Sequence, residues 1–151
     1  MSDKLVLGLP TEGAGTVIDC AIDLLLDAAR SASDHAHCPY SHFPVGAAIE
    51  TVDGRVFTGC NVENASFSLT MCAERVALFS AVSAGSSQIA RIAVSCRSGS
   101  ANEPSTLMPC GACRQVIQEF AIASTQVIVD QVGVFTLNDL FPQPFKMPGT
   151  P

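Results

Sequence analysis

Two short cysteine motifs constrain this chain more than any other feature: Cys72-Ala73-Glu74 and Pro109-Cys110-Gly111-Ala112-Cys113. Each falls where a helix is expected to begin, one running from near Cys72 to Gly85 and the other from near Cys110 to about Phe120. Residues three apart in a first helical turn share a face, so Cys110 and Cys113 can bind one ion. Cys72 adds a third ligand only in a fold that brings the two helix N-termini together.

The flanking segments describe such a fold. Gly46 to Thr51 and Arg55 to Val62 read as strands joined through Asp53-Gly54. Ile89 to Ser95 reads as a buried strand, Gln126 to Asp130 as a shorter one and Val134-Phe135-Thr136 as a further strand. A hairpin followed by β-α-β-α-β gives a three-layer α/β/α sandwich around a mixed sheet. Right-handed crossovers put both later helices on one face, with their N-termini at the carboxyl edge of the strands.

An earlier helix is expected from a capping box at Thr16 and Asp19 to about Ser33. Val17, Ala21, Leu24, Leu25 and Ala28 recur at helical spacing, and Cys20 and the Leu24-Leu25-Leu26 run are expected in the core. A polar loop from Arg97 to Thr106, a brief helix from Leu137 and a proline-rich tail complete the chain. The 151 residues read as one domain, with residues 1–15 as an N-terminal extension.

Composition narrows the partners. A net charge of −6, with eight Lys and Arg spread singly, argues against a nucleic-acid polymer, which needs a basic stripe. There is no unbroken apolar run long enough for a membrane span. Leu5 to Pro10 is too short for a secretory signal, so a cytoplasmic location is expected. Seven cysteines, an odd count, then favour metal binding or chemistry over a disulfide framework.

Thiolates suit zinc, and helix N-termini favour the thiolate form. Three protein ligands leave a fourth position for water, the pattern of a catalytic zinc. A closed four-cysteine site stays open as an alternative, with Cys60 or Cys96 as the fourth ligand. Arg75 and Arg114 follow the ligand motifs directly and can donate to thiolate sulfur. Glu74, beside the metal without binding it, can carry protons; a first-turn glutamate can also simply stabilise its helix. His35-x-His37-Cys38 is conceivable as a second metal site, but a loop after a helix is the simpler reading, with His42 ordered by hydrogen bonds.

Cys-x-Glu followed by Pro-Cys-x-x-Cys resembles the signature of zinc deaminases. Most of the chain is similar to the small homotetrameric cytidine deaminases. The segment Cys38-Pro39-Tyr40-Ser41-His42-Phe43-Pro44-Val45-Gly46 resembles that family's first substrate-side segment, and Gly59-Cys60-Asn61-Val62-Glu63-Asn64-Ala65 its nucleoside-binding strand end. The resemblance implies Zn2+ on Cys72, Cys110 and Cys113, with Glu74 as the proton shuttle. It implies Asn61 and Glu63 on the ribose hydroxyls, Phe43 against the substrate, and backbone near Ala65 and Ser95 at the base. Phe145 would reach a neighbouring subunit's pocket. Apart from the resemblance, Asn61 and Glu63 read as turn chemistry and a solvated strand end, Phe43 as core filling and Phe145 as part of a disordered tail. Met108 and the Ser66-Phe67-Ser68 segment depart from the family pattern near the site.

The implied activity is hydrolytic deamination of cytidine and deoxycytidine to uridine and deoxyuridine. The rivals are a deaminase of a related aminopyrimidine nucleoside such as blasticidin S, and a non-catalytic zinc-stabilised binding module. A nucleic-acid deaminase is disfavoured by charge and by cysteine at position 72.

Overall fold

A computed structural model describes residues 16–149, with side chains from Cys20 onward. The elements run α1 (Thr16–Ser33), β1 (Gly46–Thr51), β2 (Val56–Cys60), α2 (Ala73–Ser83), β3 (Ile89–Ser95), α3 (Gly111–Phe120), β4 (Ala121–Val129), β5 (Gly133–Thr136) and α4 (Leu137–Leu140). The expected extension and the side chains of the Thr16–Asp19 capping box lie outside the described residues.

The strands form one sheet in the order β2-β1-β3-β4-β5. β1 pairs antiparallel with both β2 and β3, β3 is parallel to β4, and β4 is antiparallel to β5. The direction is therefore mixed, as expected. β2 and β3 run the same way, so α2 crosses over β1, and α3 links the parallel pair β3 and β4.

Side chains alternate across the pleat. Ala47, Ile49, Ile92, Val94, Val127 and Val129 share a core with Ala73, Ala77 and Leu78 of α2 and Ile117 of α3. Ala48, Ala93 and Ile128 point the other way, against Leu25 and Ala29 of α1. Helices thus cover both faces, α1 opposite α2 and α3. A Cβ on Gly46 would lie 2.0 Å from Ala29 O, so glycine there allows α1 to approach the sheet.

Three expectations need correction. Leu24 is 66% exposed and Cys20 is exposed, because α1 buries only a narrow stripe through Leu25, Ala29 and Ala32. At about 100° per residue, Cys20 and Leu24 fall well off that stripe. β2 ends at Cys60 rather than Val62; Val62 makes isolated bridges with His37 and Met71 instead. β4 begins at Ala121, directly out of α3, rather than at Gln126. There the buried Thr125 hydroxyl accepts from Ile122 N at 2.8 Å and donates to Ile89 O at 2.6 Å, bracing a shift of register against β3.

At the carboxyl edge, Asp130 ties the layers together. Arg30 of α1 donates to both its carboxylate oxygens, at 2.9 and 2.6 Å, and the Ser95 hydroxyl donates at 2.7 Å. Arg30 and Ser95 hold the Asp130 carboxyl below the usual carboxylate range, against the opposing effect of burial. A depressed folded-state pKa contributes stability above the unfolded pKa, and that stability is lost as pH falls through the folded value. Asp130→Asn should therefore cost about 1.5–3 kcal/mol near neutrality. In urea titrations over a pH series, its deficit against the parent should narrow below about pH 4. A deficit that stays constant down to strong acid would show that the charge on Asp130 contributes nothing.

Candidate metal centre

Both motif helices start on a cysteine. Cys72 and Cys110 are the N-caps of α2 and α3, in extended conformation, and neither makes a side-chain cap hydrogen bond. Cys113 is the third residue of α3. Crossing over β1 and joining β3 to β4 brings these two helix starts together, and the three sulfurs lie within 4.8 Å of one another. Gly59 keeps α2 in place: a Cβ there would lie 2.4 Å from Ala77 N and 2.7 Å from Ala73 O. Any larger residue at position 59 would push the helix that carries Cys72 and Glu74 off the sheet.

The cluster is graded in exposure, with Cys113 buried, Cys72 intermediate and Cys110 exposed. A ligand bound here is open on the Cys110 side. Among the described residues this is the one group of three or more metal-ligating side chains close enough to share an ion. The four-cysteine alternative is not built. Cys60 donates its thiol to His35 O at 3.3 Å, and Cys96 lines the neighbouring cavity without joining the cluster. His35, His37 and Cys38 make no metal-ligating group either; His37 bridges Val62 through its backbone.

The donor set suits zinc. It is all sulfur, from three side chains, at a spacing that fits a single small ion. The Cys113 thiol, donating to Cys72, pulls Cys72 down to about 5 against the effect of burial, and Arg75 adds to this. The same contact pushes Cys113 up. Arg75 Nη2 lies 3.1 Å from Thr70 O and 3.5 Å from Cys72 Sγ, while its buried Nε has no hydrogen-bond partner. Arg114 differs from expectation. It donates to Pro109 O at 2.8 Å and Leu140 O at 2.7 Å. Its Nε and Nη1 are thus engaged by backbone carbonyls, not by a cluster sulfur.

Glu74 is 4% exposed in the first turn of α2. Burial raises its pKa first, and the charge on Cys72 adds to the rise, while its own backbone N–H opposes both. It shares with Cys72 and Cys110 the wall of a cavity of about 180 Å³. Phe43, Val45, Asn61, Thr70, Val94, Cys96, Leu107 and Met108 supply most of the rest, so the lining is mainly apolar with few polar groups. Of these, Val45, Thr70, Val94 and Leu107 carried no chemical signal in the sequence, because small apolar and hydroxyl side chains gain meaning only from their neighbours.

Asn61 lines this cavity, whereas Glu63 does not and borders an adjoining cleft with Tyr40, Ser41, Phe67 and Thr70. Asn61 accepts from Val45 N at 2.9 Å and donates to Phe43 O at 3.0 Å, leaving one amide hydrogen and one lone pair. Glu63 accepts from Tyr40 N at 2.9 Å and Ser41 N at 3.2 Å. The Ser41 side chain, then these amides, hold its carboxyl below the usual range. Both residues thereby fix the 40–45 loop that carries Phe43. Ala65 is exposed and does not line the cavity. Ser95 lies inside the sheet edge with its hydroxyl on Asp130. Phe145 is 69% exposed on the outer side of α3, away from this cavity.

Comparison with known proteins agrees with this geometry. The family model for the cytidine and deoxycytidylate deaminase zinc-binding region matches residues 21–129. A cytidine deaminase of Halalkalibacterium halodurans is 42% identical over 126 residues, covering 81% of this chain and 92% of that one. The crystal structure of cytidine deaminase from Burkholderia pseudomallei superposes with a TM-score of 0.74 at 45% identity, over 82% of this chain and 98% of the other. That from Mycobacterium tuberculosis gives a TM-score of 0.71 at 37% identity, over 83% and 97%. With the three-cysteine cluster at two helix starts and this sheet order, the chain belongs to the family of the cytidine and deoxycytidylate deaminase zinc-binding region.

Proposed function

We propose that this chain is a zinc-dependent hydrolase that converts cytidine and deoxycytidine to uridine and deoxyuridine with release of ammonia. One observation carries the reading: three thiols within 4.8 Å at two helix N-termini, with a buried glutamate beside them on the same cavity wall. The cytidine deaminase relatives support the choice of substrate.

Bound by Cys72, Cys110 and Cys113, zinc supplies an electrophilic centre that makes a water acidic enough to react near neutral pH. The chain's own residues do the rest. Glu74 takes a proton at its carboxylate and returns it to the ring nitrogen beside the reacting carbon. A second transfer through the same carboxylate makes the amine a leaving group. The bond formed is from C4 to oxygen and the bond broken is from C4 to nitrogen. Arg75, donating to Cys72 Sγ, offsets part of the thiolate charge.

Phe43 packs along the pyrimidine, and the remaining valences of Asn61 and Glu63 take the ribose hydroxyls. A carboxylate at that place also repels a 5′-phosphate, favouring nucleosides over nucleotides. Neither the blasticidin-type substrate nor a purely structural zinc has an observation in its favour. A structural ion has no use for a buried carboxylate on an adjoining cavity wall.

We read residues 1–151 as a single domain with 1–15 as an extension, acting as a homotetramer in the cytoplasm. Seven free cysteines suit a reducing compartment. No described helix is long and apolar enough to cross a membrane. α2 buries Ala77, Leu78 and Ala81 in the core yet leaves Phe79 and Val82 on its outer face. A helix apolar on both sides fits burial against another copy. Ala65 and Phe145, which do not line the cavity of their own chain, then act at subunit boundaries, with Phe145 stacking on a neighbour's substrate.

Glu74→Gln is nearly isosteric but cannot accept and return a proton. It should keep zinc, fold and nucleoside binding while turnover falls on the order of 10²–10⁴-fold or more. Elemental analysis and stopped assays of the purified variant decide this; a zinc-loaded variant with near-normal turnover would falsify the mechanism.

Cytidine should be processed far better than free cytosine, and Glu63→Gln should lower kcat/KM for the nucleoside on the order of tenfold. Equal rates on base and nucleoside would remove the ribose role. Sedimentation at assay concentration should give a tetramer, and a fully active monomer would overturn the assembly.

A further inference from the structure

We infer that Gln115 is a positioning residue that presents Phe145 to the site of a neighbouring copy. The inference rests on the reading above, in which Phe145 completes a partner's pocket. Three consecutive residues of α3 look in different directions. Cys113 faces the metal cluster and is fully buried. Arg114 donates to Leu140 O at 2.7 Å, fixing the end of α4. Gln115 lies two residues past the ligand, about 200° further round the helix, and so faces away from the chain's own cavity.

On that outer face Gln115 meets the tail. Its Nε2 donates to Phe145 O at 3.0 Å, and its Oε1 accepts from Phe145 N at 3.0 Å. A side-chain amide presents one donor and one acceptor in a plane, and here both are used on the two backbone groups of a single residue. The contact imitates one rung of a sheet in a segment that has no regular secondary structure. It fixes the backbone of Phe145 and with it the direction of the Cα–Cβ bond. The ring itself is left 69% exposed. An ordered backbone under an exposed aromatic ring lowers the entropic cost of inserting that ring elsewhere.

Because Gln115 and Cys113 are on the same short helix, the clamp also sets the tail relative to the metal ligands. Nothing in the chemistry of the cluster requires this. A tail that served only to cover the surface of α3 would turn the phenyl ring inward and leave its backbone to water.

The test uses the full-length zinc-loaded protein, with cytidine as substrate, in four forms: Gln115→Ala, Gln115→Glu, Phe145→Ala and the Gln115→Ala/Phe145→Ala double variant. Gln115→Ala should raise KM about tenfold, the order expected for two neutral hydrogen bonds. Turnover number, zinc content and sedimentation should stay near those of the parent. Gln115→Glu, which keeps the acceptor for Phe145 N but sets a carboxylate oxygen against Phe145 O in place of the donor, should raise KM at least as much. In the Phe145→Ala background the Gln115 change should add nothing. A raised KM for Phe145→Ala beside an unchanged one for Gln115→Ala would overturn the positioning role and leave the tail's role standing. Additive effects in the double variant, or loss of zinc from both Gln115 variants, would overturn it as well. An unaltered KM in Phe145→Ala would instead remove the premise, and the inference with it.

Discussion

Three thiols held within 4.8 Å of one another come from two separate helices, and most of the fold can be understood as the means of holding them there. Neither motif can form the site alone. Cys110 and Cys113 share a turn of α3, but Cys72 lies a whole crossover away, beyond β3. The strand order β2-β1-β3-β4-β5 solves this by making β2 to β3 and β3 to β4 both connections between like-directed strands, so that α2 and α3 rise from the same sheet edge. The close approach then depends on small groups. Gly59 lets the backbone of α2 lie against β2, and Ala73 and Ala77 fill the space where larger side chains would lift it. The opposite face uses the same device, with Gly46, Ala48 and Ala93 under α1. A sheet packed this tightly on both sides gives the ligands little freedom to spread.

Much of this was legible in the chain. The Asp53-Gly54 turn placed the hairpin of β1 and β2, the apolar run Ile89 to Ser95 placed β3, and Gly85 ended α2 as a left-handed residue at φ 86. Ser86 N and Gly85 N return there to Ala81 O and Val82 O, a closure that a glycine after a helical run announces. What failed has physical causes. The apolar residues of α1 outnumber those its stripe can bury, and periodicity alone does not say which edge of a broad apolar sector meets the sheet. The early start of β4 depends on Thr125 bonding across to β3, a contact invisible along the sequence. Arg114 sits beside its ligand in sequence, but the carbonyl it finds belongs to Leu140, twenty-six residues on. Asn61 and Glu63 are similar: the strand-end motif flagged them, yet their loop-clamping bonds depend on where residues 40–45 fold back.

The mouth and the metal side of the cavity are built on different principles. The metal side consists of side chains on the first turns of helices, whose backbones are fixed by the sheet. The mouth is a loop, and loops hold shape only when their polar groups are answered. Asn61 answers Phe43 O and Val45 N, and Glu63 answers the amides of Tyr40 and Ser41. On the proposed reading, the side chains that take the sugar are also the ones that hold the loop carrying Phe43. With a ribose contact as proposed, a substitution at either position would act on binding twice, once through that contact and once through the loosened loop. For that reason truncation to alanine overstates the direct contact, and an isosteric change such as Glu63→Gln is the cleaner probe.

Charge sets the last constraint. Three thiolates and an ionised Glu74 would gather four negative charges in a space mostly withdrawn from water, an arrangement that no protein interior tolerates unaided. A divalent ion offsets two of them. Arg75 is the one cation with a hydrogen bond to a cluster sulfur among the described residues, and it offsets a third. The starts of α2 and α3 each carry roughly half a unit of positive charge, directed at the residues that cap them. Cys72 and Cys110 occupy the N-cap positions themselves, which places their sulfurs beside those dipole ends. The balance closes near neutrality only with every contributor in place. This explains why both motifs begin helices, why Arg75 follows Cys72 and Glu74 so closely, and why a glutamate can stay buried beside thiolates. In a cluster neutralised in this way, a proton gained or lost at Glu74 would leave at most one unit of charge unbalanced, which is the electrostatic condition the proposed shuttle needs.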